Sequence, residues 1–161
     1  MEPKKFLPIG YPLSYSFEGE HISAYTIERV GIENPLLTNE EFATWVYFFQ
    51  NGVEIPTDAP IEALLTKKVL LAYNSLDDLL NQLLCLNALR NGTSVEQGDI
   101  VSIPSGDGHI PLTPFQHSVW LKADGHITIE SIINAMSLAD NENDFVNAVI
   151  FLVKANLLCL R

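Results

Sequence analysis

Three histidines and two aspartates lie close together in residues 107–126, and their side chains are of types that do chemistry. They are Asp107, His109, His117, Asp124 and His126. Imidazoles and carboxylates bind transition metals and act as general acids and bases. The segment has no HExxH, HxH or CxxC spacing, and both aspartates precede a glycine, as turn residues do. The sequence therefore predicts no metal-binding and no catalytic residue here.

A glycine-rich stretch and two cysteines are the other candidates for catalytic or cofactor chemistry. Residues 105–109 lack the lysine and the following helix of a phosphate-binding loop, so they favour a hairpin turn. Cys85 and Cys159 each lie in a leucine-rich stretch without a nearby Cys or His, which favours buried thiols over a disulfide or a metal site. No Gly-x-Ser-x-Gly nucleophile motif is present. We therefore expect a non-enzymatic protein without a cofactor.

The chain of 161 residues is acidic, with a net charge of −11 and a pI near 4.6. Binding to a nucleic-acid backbone depends on Lys and Arg side chains that neutralise phosphates, so this charge disfavours nucleic acid as a partner. No apolar run approaches the roughly 20 residues of a membrane span. The N-terminal residues, interrupted by Pro8, Gly10 and Pro12, do not resemble a signal peptide. The sequence predicts a cytoplasmic protein that does not enter a membrane.

The two tryptophans of the chain lie in two copies of one pattern. The copies begin at Leu37-Thr38 and at Leu112-Thr113, and in each a Glu or Gln follows the threonine by three residues and a Trp by seven. A threonine hydroxyl caps a helix, and a Glu or Gln three residues on reaches back to the cap amide. Pro114 stands at the first helical position, which suits proline. Each copy is therefore predicted to be a capped helix with its tryptophan on the buried face.

The remaining segments predict strands before each capped helix and two helices after it. In the first half we expect a strand over residues 21–30, the capped helix over 38–50, and helices over 57–73 and 75–90. In the second half we expect a hairpin over 99–110, the capped helix over 113–122, helices over 128–138 and 144–155, and a closing strand or tail. The predicted fold class is α+β and mainly helical, with two winged-helix-like modules in tandem, each of three helices and a small β-hairpin. The modules would span residues 1–92 and 93–161.

Residues 99–160 carry a series of short motifs after the hairpin. A helix ending in Trp leads into an Asp-Gly turn, then Thr-x-Glu-x-Ile, and a last helix runs into Asn-Leu-Leu. The residues concerned are Leu112, Trp120, Asp124, Gly125, Thr128, Glu130, Ile132, Leu152, Asn156, Leu157 and Leu158. In this order they resemble the PqqD-like family of winged-helix peptide-recognition domains. The resemblance implies a winged-helix fold and the binding of a leader peptide along a sheet edge, by strand addition.

A protein-interaction or adaptor function fits the acidic, apolar character of the two modules best. Helices as apolar as these are expected to pack on both sides, against their own module and against a partner protein or a second copy, so a homodimer is among the expected forms. Tyr47, Phe48 and Leu86 are the predicted interaction surface, because they add apolar area beyond what one core needs.

Two alternative functions remain open. A DNA-binding transcription regulator acting as an oligomer would use Lys67, Lys68 and Arg90 as its contacts, and would need these cations to converge. A leader-peptide-binding protein would need an open strand edge near residues 100–103 or 109–112.

Overall fold

The computed structural model describes residues 4–49, 58–138 and 140–161. The helices in this part of the chain are α1 (Asn39–Tyr47), α2 (Ile61–Thr66), α3 (Leu76–Leu83), α4 (Pro114–Lys122), α5 (Ile129–Met136) and α6 (Glu142–Lys154). The strands are β1 (Lys5–Pro8), β2 (Tyr11–Glu18), β3 (His21–Glu28), β4 (Leu36–Leu37), β5 (Leu70–Tyr73), β6 (Asn87–Arg90), β7 (Val95–Gln97), β8 (Ile100–Ser105), β9 (Gly108–Leu112), β10 (Asp124–Thr128) and β11 (Leu158–Leu160). Among the described residues they form four small sheets, with the orders β1-β5, β10-β6-β11, β2-β3-β4 and β7-β8-β9.

Strands are as common as helices in this fold. About 36% of the described residues are helical and about 35% lie in strands. The prediction of a mainly helical protein is therefore wrong, and the protein is α+β with nearly equal shares of the two structures.

Two leucine-rich segments account for much of this difference. The helix predicted over residues 57–73 ends at Thr66 and is followed by β5, and the helix predicted over 75–90 ends at Leu83, before β6. β5 pairs with β1, and β6 pairs with both β10 and β11. A short apolar run does not distinguish a buried strand from a buried helix by its periodicity, and here the distant pairing partner decides.

Both predicted helix caps are confirmed. The amide of Glu41 donates to Thr38 Oγ1 over 3.2 Å, and the amide of Thr38 donates to the Glu41 carboxylate over 2.8 Å. Gln116 and Thr113 make the same two bonds in the second copy, over 3.1 and 2.9 Å. The predicted end of the first capped helix, near residue 50, lies outside the described residues.

The internal repeat extends well beyond these two helices. Each copy contains a first strand (β1 or β6), a three-stranded sheet (β2 to β4 or β7 to β9) and the tryptophan helix (α1 or α4). A strand that pairs antiparallel with the first one follows (β5 or β10), and then a second capped helix (α3 or α5). In the described residues the first copy adds α2, and the second adds α6 and β11. The repeat thus includes strand pairings that the sequence pattern alone did not predict.

The middle strands of the two three-stranded sheets fix how the copies align. Tyr25 of β3 lies opposite Leu37, the residue before the first helix cap, and Val101 of β8 lies opposite Leu112, the residue before the second. Tyr25 and Val101 are therefore equivalent positions.

Two residues further along these middle strands, a fully buried isoleucine covers a glycine in each copy. Ile27 covers Gly10, whose φ is +100°, and Ile103 covers Gly92, whose φ is +91°. Glycine adopts such positive φ angles at no steric cost. A Cβ built at Gly10 would lie 2.3 Å from Cγ2 of Ile27, and one at Gly92 would lie 2.8 Å from Cγ2 of Ile103. In both copies the sheet thus packs directly on the backbone of the turn after the first strand.

Each tryptophan binds the same turn of its own copy. Trp45 Nε1 donates to the carbonyl oxygens of Ile9, at 3.2 Å, and Val69, at 3.0 Å. Trp120 Nε1 donates to the carbonyl oxygen of Asn91 at 3.2 Å. Both indoles are buried, so these bonds satisfy polar groups that have no access to water.

One apolar core spans the two copies. Leu7 and Leu79 of the first copy belong to the same cluster of buried residues as Trp120 and Leu160 of the second. Helix α6 packs against α3 and α4 and reaches β1. The predicted module boundary at residue 92 follows β6 directly, yet the partners of β6 lie beyond that boundary.

Residues 160 and 161 hold the two copies together by hydrogen bonds. The amide of Gly10 donates to the carbonyl of Leu160, and the amide of Val30 donates to the carbonyl of Arg161. The Arg161 guanidinium donates to the carboxylate of Glu28 in the first copy and to Asn87 Oδ1, at 2.7 and 3.0 Å, in β6. One side chain thus links β3 with the sheet of the second copy.

Candidate interaction surface

Strand β2 is exposed along its whole length. Its large apolar side chains Tyr11, Leu13, Tyr15 and Phe17 have 38, 49, 58 and 62% of their area open to solvent. In the described part of the chain β2 pairs with β3 alone, so it is the edge strand of its sheet. Proteins usually protect such edges with charged residues or by making the strand short, because an exposed apolar edge promotes association. The outer edge of β2 is therefore a candidate binding surface.

An aromatic cluster supports this strand from one side. Tyr15 lies directly opposite Tyr25 in the hairpin, and Tyr25 stacks on Phe42 of α1 with ring centroids 3.8 Å apart. Phe42 in turn contacts the buried Trp45, at 5.8 Å between ring centroids. The rings of Tyr15 and Phe17 meet edge to face at 5.4 Å. The hairpin therefore rests on a packed base, which lowers the entropy that a partner would have to remove on binding.

A cavity of about 340 Å³ opens beside the start of β2. Pro12 lies on one side of it, Trp45 and Val46 of α1 form an apolar wall, and Lys154 brings a cation from the end of α6. The cavity thus adjoins β2 at Pro12 and is lined by residues of both copies.

A partly buried ion pair holds the start of α1. Lys67 Nζ donates to the Glu41 carboxylate over 2.6 Å and to the carbonyl oxygen of Leu36 over 2.8 Å. Burial opposes the ionisation of Glu41 and by itself raises its pKa, but the hydrogen bonds from Lys67 and Thr38 outweigh it. The pKa of Glu41 therefore lies below its ordinary value of 4.5.

Replacing Glu41 with glutamine should remove part of the pH dependence of the free energy of unfolding. Gln116 shows that glutamine preserves the capping box, so the Glu41→Gln variant loses only the charge that faces Lys67. We expect the free energy of unfolding to fall by about 1 kcal/mol at pH 7. Because the folded pKa is depressed, this contribution is present above pH 4.5 and is lost as the pH falls through the folded pKa.

Urea unfolding of the wild type and the variant between pH 7 and pH 3.5 measures this difference. Glu40→Gln is the control, since Glu40 is an exposed neighbour on the same turn of the helix. A difference between wild type and Glu41→Gln that stays constant over the whole pH range would contradict the assignment.

The predicted interaction residues separate into one exposed and two buried side chains. Tyr47 is 41% exposed at the end of α1 and remains available to a partner. Phe48 packs edge to face on Phe6 and belongs to the core around Trp45, and Leu86 belongs to the large core. The prediction that Phe48 and Leu86 form an interaction surface is therefore wrong, because both side chains are needed inside the fold.

The predicted nucleic-acid contacts do not share a site. Lys67 is bound by Glu41, while Lys68 is exposed after α2 with a φ of +60°. Arg90 lies over the ring of Trp120, at 5.6 Å, and donates to the carbonyl oxygen of Leu121. Among residues 4–49, 58–138 and 140–161, no hydrogen bond or ion pair joins Arg90 to the two lysines.

The histidines and aspartates of residues 107–126 have separate roles. Asp124 accepts the amide of His126 at 2.8 Å in a local turn, and His109 lies 3.5 Å from Ser102 Oγ. His117 stacks on Trp120, and its Nε2 is buried without a partner among the described residues. The described residues include no group of three or more His, Cys, Asp or Glu that could hold a metal ion.

The two cysteines differ in their exposure. Cys159 is buried as predicted, and burial raises the pKa of its thiol to about 11. Cys85 is exposed, so the prediction of a buried thiol is wrong at that position. It lies two residues after the end of α3, where the predicted helix would have continued.

Comparison of the chain with models of known protein families, with curated proteins and with solved structures gives no match. The helices that the structure describes are too short or too polar for any of them to cross a membrane. The function has to be inferred from the surface of this chain itself.

Tyr15 and Phe17 are the binding candidates that the sequence analysis missed. Apolar residues alternate with other residues from Tyr11 to Phe17, immediately before the Glu18-Gly19 turn. Such alternation over seven or eight residues indicates a strand with one apolar face. That pattern was the available signal for β2.

Proposed function

We propose that this chain is a non-enzymatic protein-interaction or adaptor module, and that its binding surface is the outer edge of β2. The observation that supports this function is the exposure of four large apolar side chains on one edge strand, which pairs with β3 alone in the described part of the chain. Such an edge offers backbone N–H and C=O groups for strand addition, and alternate side chains for specificity. We place the protein in the cytoplasm, where an exposed thiol such as that of Cys85 stays reduced.

Selection from a random-peptide library on the immobilised protein tests this function. We expect peptides with alternating apolar residues to be enriched, and to lose binding when Tyr15 is replaced by glutamate. Ile100→Glu is the matched control, because Ile100 is 60% exposed and Tyr15 is 58% exposed. Two results would rule out β2 as the binding surface. Either no peptides are enriched, or the enriched peptides bind the Tyr15→Glu variant as well as they bind the wild type.

Leader-peptide binding by the second copy is a second candidate function. One of the two predicted edges, residues 100–103, belongs to β8, which is paired on both sides, so that expectation is wrong. The other edge, β9, pairs with β8 alone in the described part of the chain. The order α4, β10, α5, α6 and β11 supports a winged-helix-like reading of this copy, with three helices and flanking strands. His109→Glu changes an exposed side chain of β9. Peptides that lose binding on His109→Glu, but not on Tyr15→Glu, would favour this candidate.

A further inference from the structure

The two three-stranded sheets differ in the protection of their outer strands. Tyr25 and Val101 are equivalent positions, and Tyr15 lies opposite the first as Glu96 lies opposite the second. The second copy therefore has a carboxylate, in a strand of three residues, where the first copy has a tyrosine in a strand of eight. A charge and a short length are two common ways to prevent edge-to-edge association. The second copy has both. β2 has eight residues and its one charge, Glu18, lies at its end, although Pro12 and two register shifts against β3 interrupt the strand.

We propose that a second copy of this chain binds the outer edge of β2, so that two β2 strands pair antiparallel across a two-fold axis. This inference rests on the proposed function of β2 as a binding surface, and it names the partner. A two-fold interface uses the same surface on both subunits, so the surface must be complementary to itself. Self-complementarity can be judged from the charge distribution along β2 and from the apolar area that it exposes.

The charge distribution along β2 is compatible with self-association. Residues 11–17 carry no charge, and Glu18 is the one charged residue of the strand. With the two-fold axis between Ser14 and Tyr15, antiparallel pairing places Glu18 of one copy opposite Tyr11 of the other. Two chains of net charge −11 would thus meet along an uncharged strip about 24 Å long, with no like charges directly opposite.

The area available fits a reversible dimer. The exposed parts of Tyr11, Leu13, Tyr15 and Phe17 amount to about 400 Å² per copy, on the basis of the usual area of such side chains. Pairing of the strand backbones adds to this, so a dimer that covers all four side chains buries at most about 1,200 Å² in total, which is near the lower limit of specific interfaces. We therefore expect a dimer that dissociates on dilution, in the micromolar range.

Sedimentation velocity of the full chain between about 1 and about 200 µM tests the dimer. The wild type should shift from monomer to dimer over this range, and Tyr15→Glu should weaken the association at least tenfold, as expected for a residue at the centre of an interface. Ile100→Glu introduces the same charge at an equally exposed side chain of the second sheet and should leave the association unchanged. Hydrogen exchange provides a second measurement, because the outward amides of residues 13–17 should become protected as the concentration rises.

Two results would overturn the proposal. One is a wild-type chain that remains monomeric at about 200 µM. The other is a dimer that Tyr15→Glu does not weaken more than Ile100→Glu does. A monomeric chain that still selects peptides through Tyr15 would overturn self-association and leave the interaction function intact. A monomeric chain that selects no peptide through Tyr15 would overturn both.

Discussion

Alanine in place of Gly10 is expected to lower the free energy of unfolding by about 3 kcal/mol or more. Two costs add. The new Cβ would lie 2.3 Å from Cγ2 of the fully buried Ile27, and relieving such an overlap in a packed core costs about 1–3 kcal/mol. The φ of +100° adds about 1–2 kcal/mol, since a residue with a side chain is strained there.

The repeat supplies matched controls for this substitution. Gly92→Ala meets the equivalent isoleucine at 2.8 Å and should cost less, and Gly19→Ala has a positive φ but open space around it and should cost least. Ile27→Leu removes the Cγ2 atom while keeping the side-chain volume, so it should reduce the cost of Gly10→Ala. Urea denaturation measures all of these variants. Equal destabilisation by the three alanines would show that φ alone matters and that the packing of the sheet on the turn does not.

Phenylalanine in place of Trp45 is expected to cost about 3 kcal/mol. The change removes the indole N–H that binds the carbonyl oxygens of Ile9 and Val69. The Val69 carbonyl keeps the amide of Ile9 at 3.0 Å, so the Ile9 carbonyl is the buried acceptor that loses its partner, and such a group costs about 1–3 kcal/mol. It also leaves a void in the core that contains Ile27 and Leu64.

Trp120→Phe is the comparison within the same chain. Trp120 binds one carbonyl oxygen, that of Asn91, so Trp120→Phe loses one hydrogen bond where Trp45→Phe loses two, and we expect a smaller loss of stability. Denaturation followed by far-UV circular dichroism measures both variants without relying on tryptophan fluorescence. A larger loss for Trp120→Phe than for Trp45→Phe would contradict the assignment of the cost to the two hydrogen bonds of Trp45.

The features that could be predicted from the sequence are those that neighbouring residues determine. The two capping boxes need only a threonine and a residue three positions later, and both are present. The strand expected over residues 21–30 and the helix expected over 144–155 are also found, as β3 and α6. Each of these elements carries its own periodic pattern.

The features that were missed depend on residues far away in the chain. Nothing in residues 70–73 indicates that β1 will pair with them, and the leucines there fit a helix equally well. The binding surface was missed for a related reason. Phe48 and Leu86 looked like excess apolar area, because the sequence does not show that their neighbours bury them. No element was predicted for the segment that contains Tyr15 and Phe17, although the alternation of its apolar residues indicates a strand.

The bonds made by residues 160 and 161 have a consequence for the order in which the protein folds during synthesis. Leu7 and Ile9 belong to the core that also contains Leu158 and Leu160, and Gly10 binds the carbonyl of Leu160. A ribosome that has made only the first copy has therefore not yet made the residues that complete its core. We expect β1 and its turn to stay incompletely packed on the nascent chain, and to reach the native arrangement only after residue 161 has left the exit tunnel.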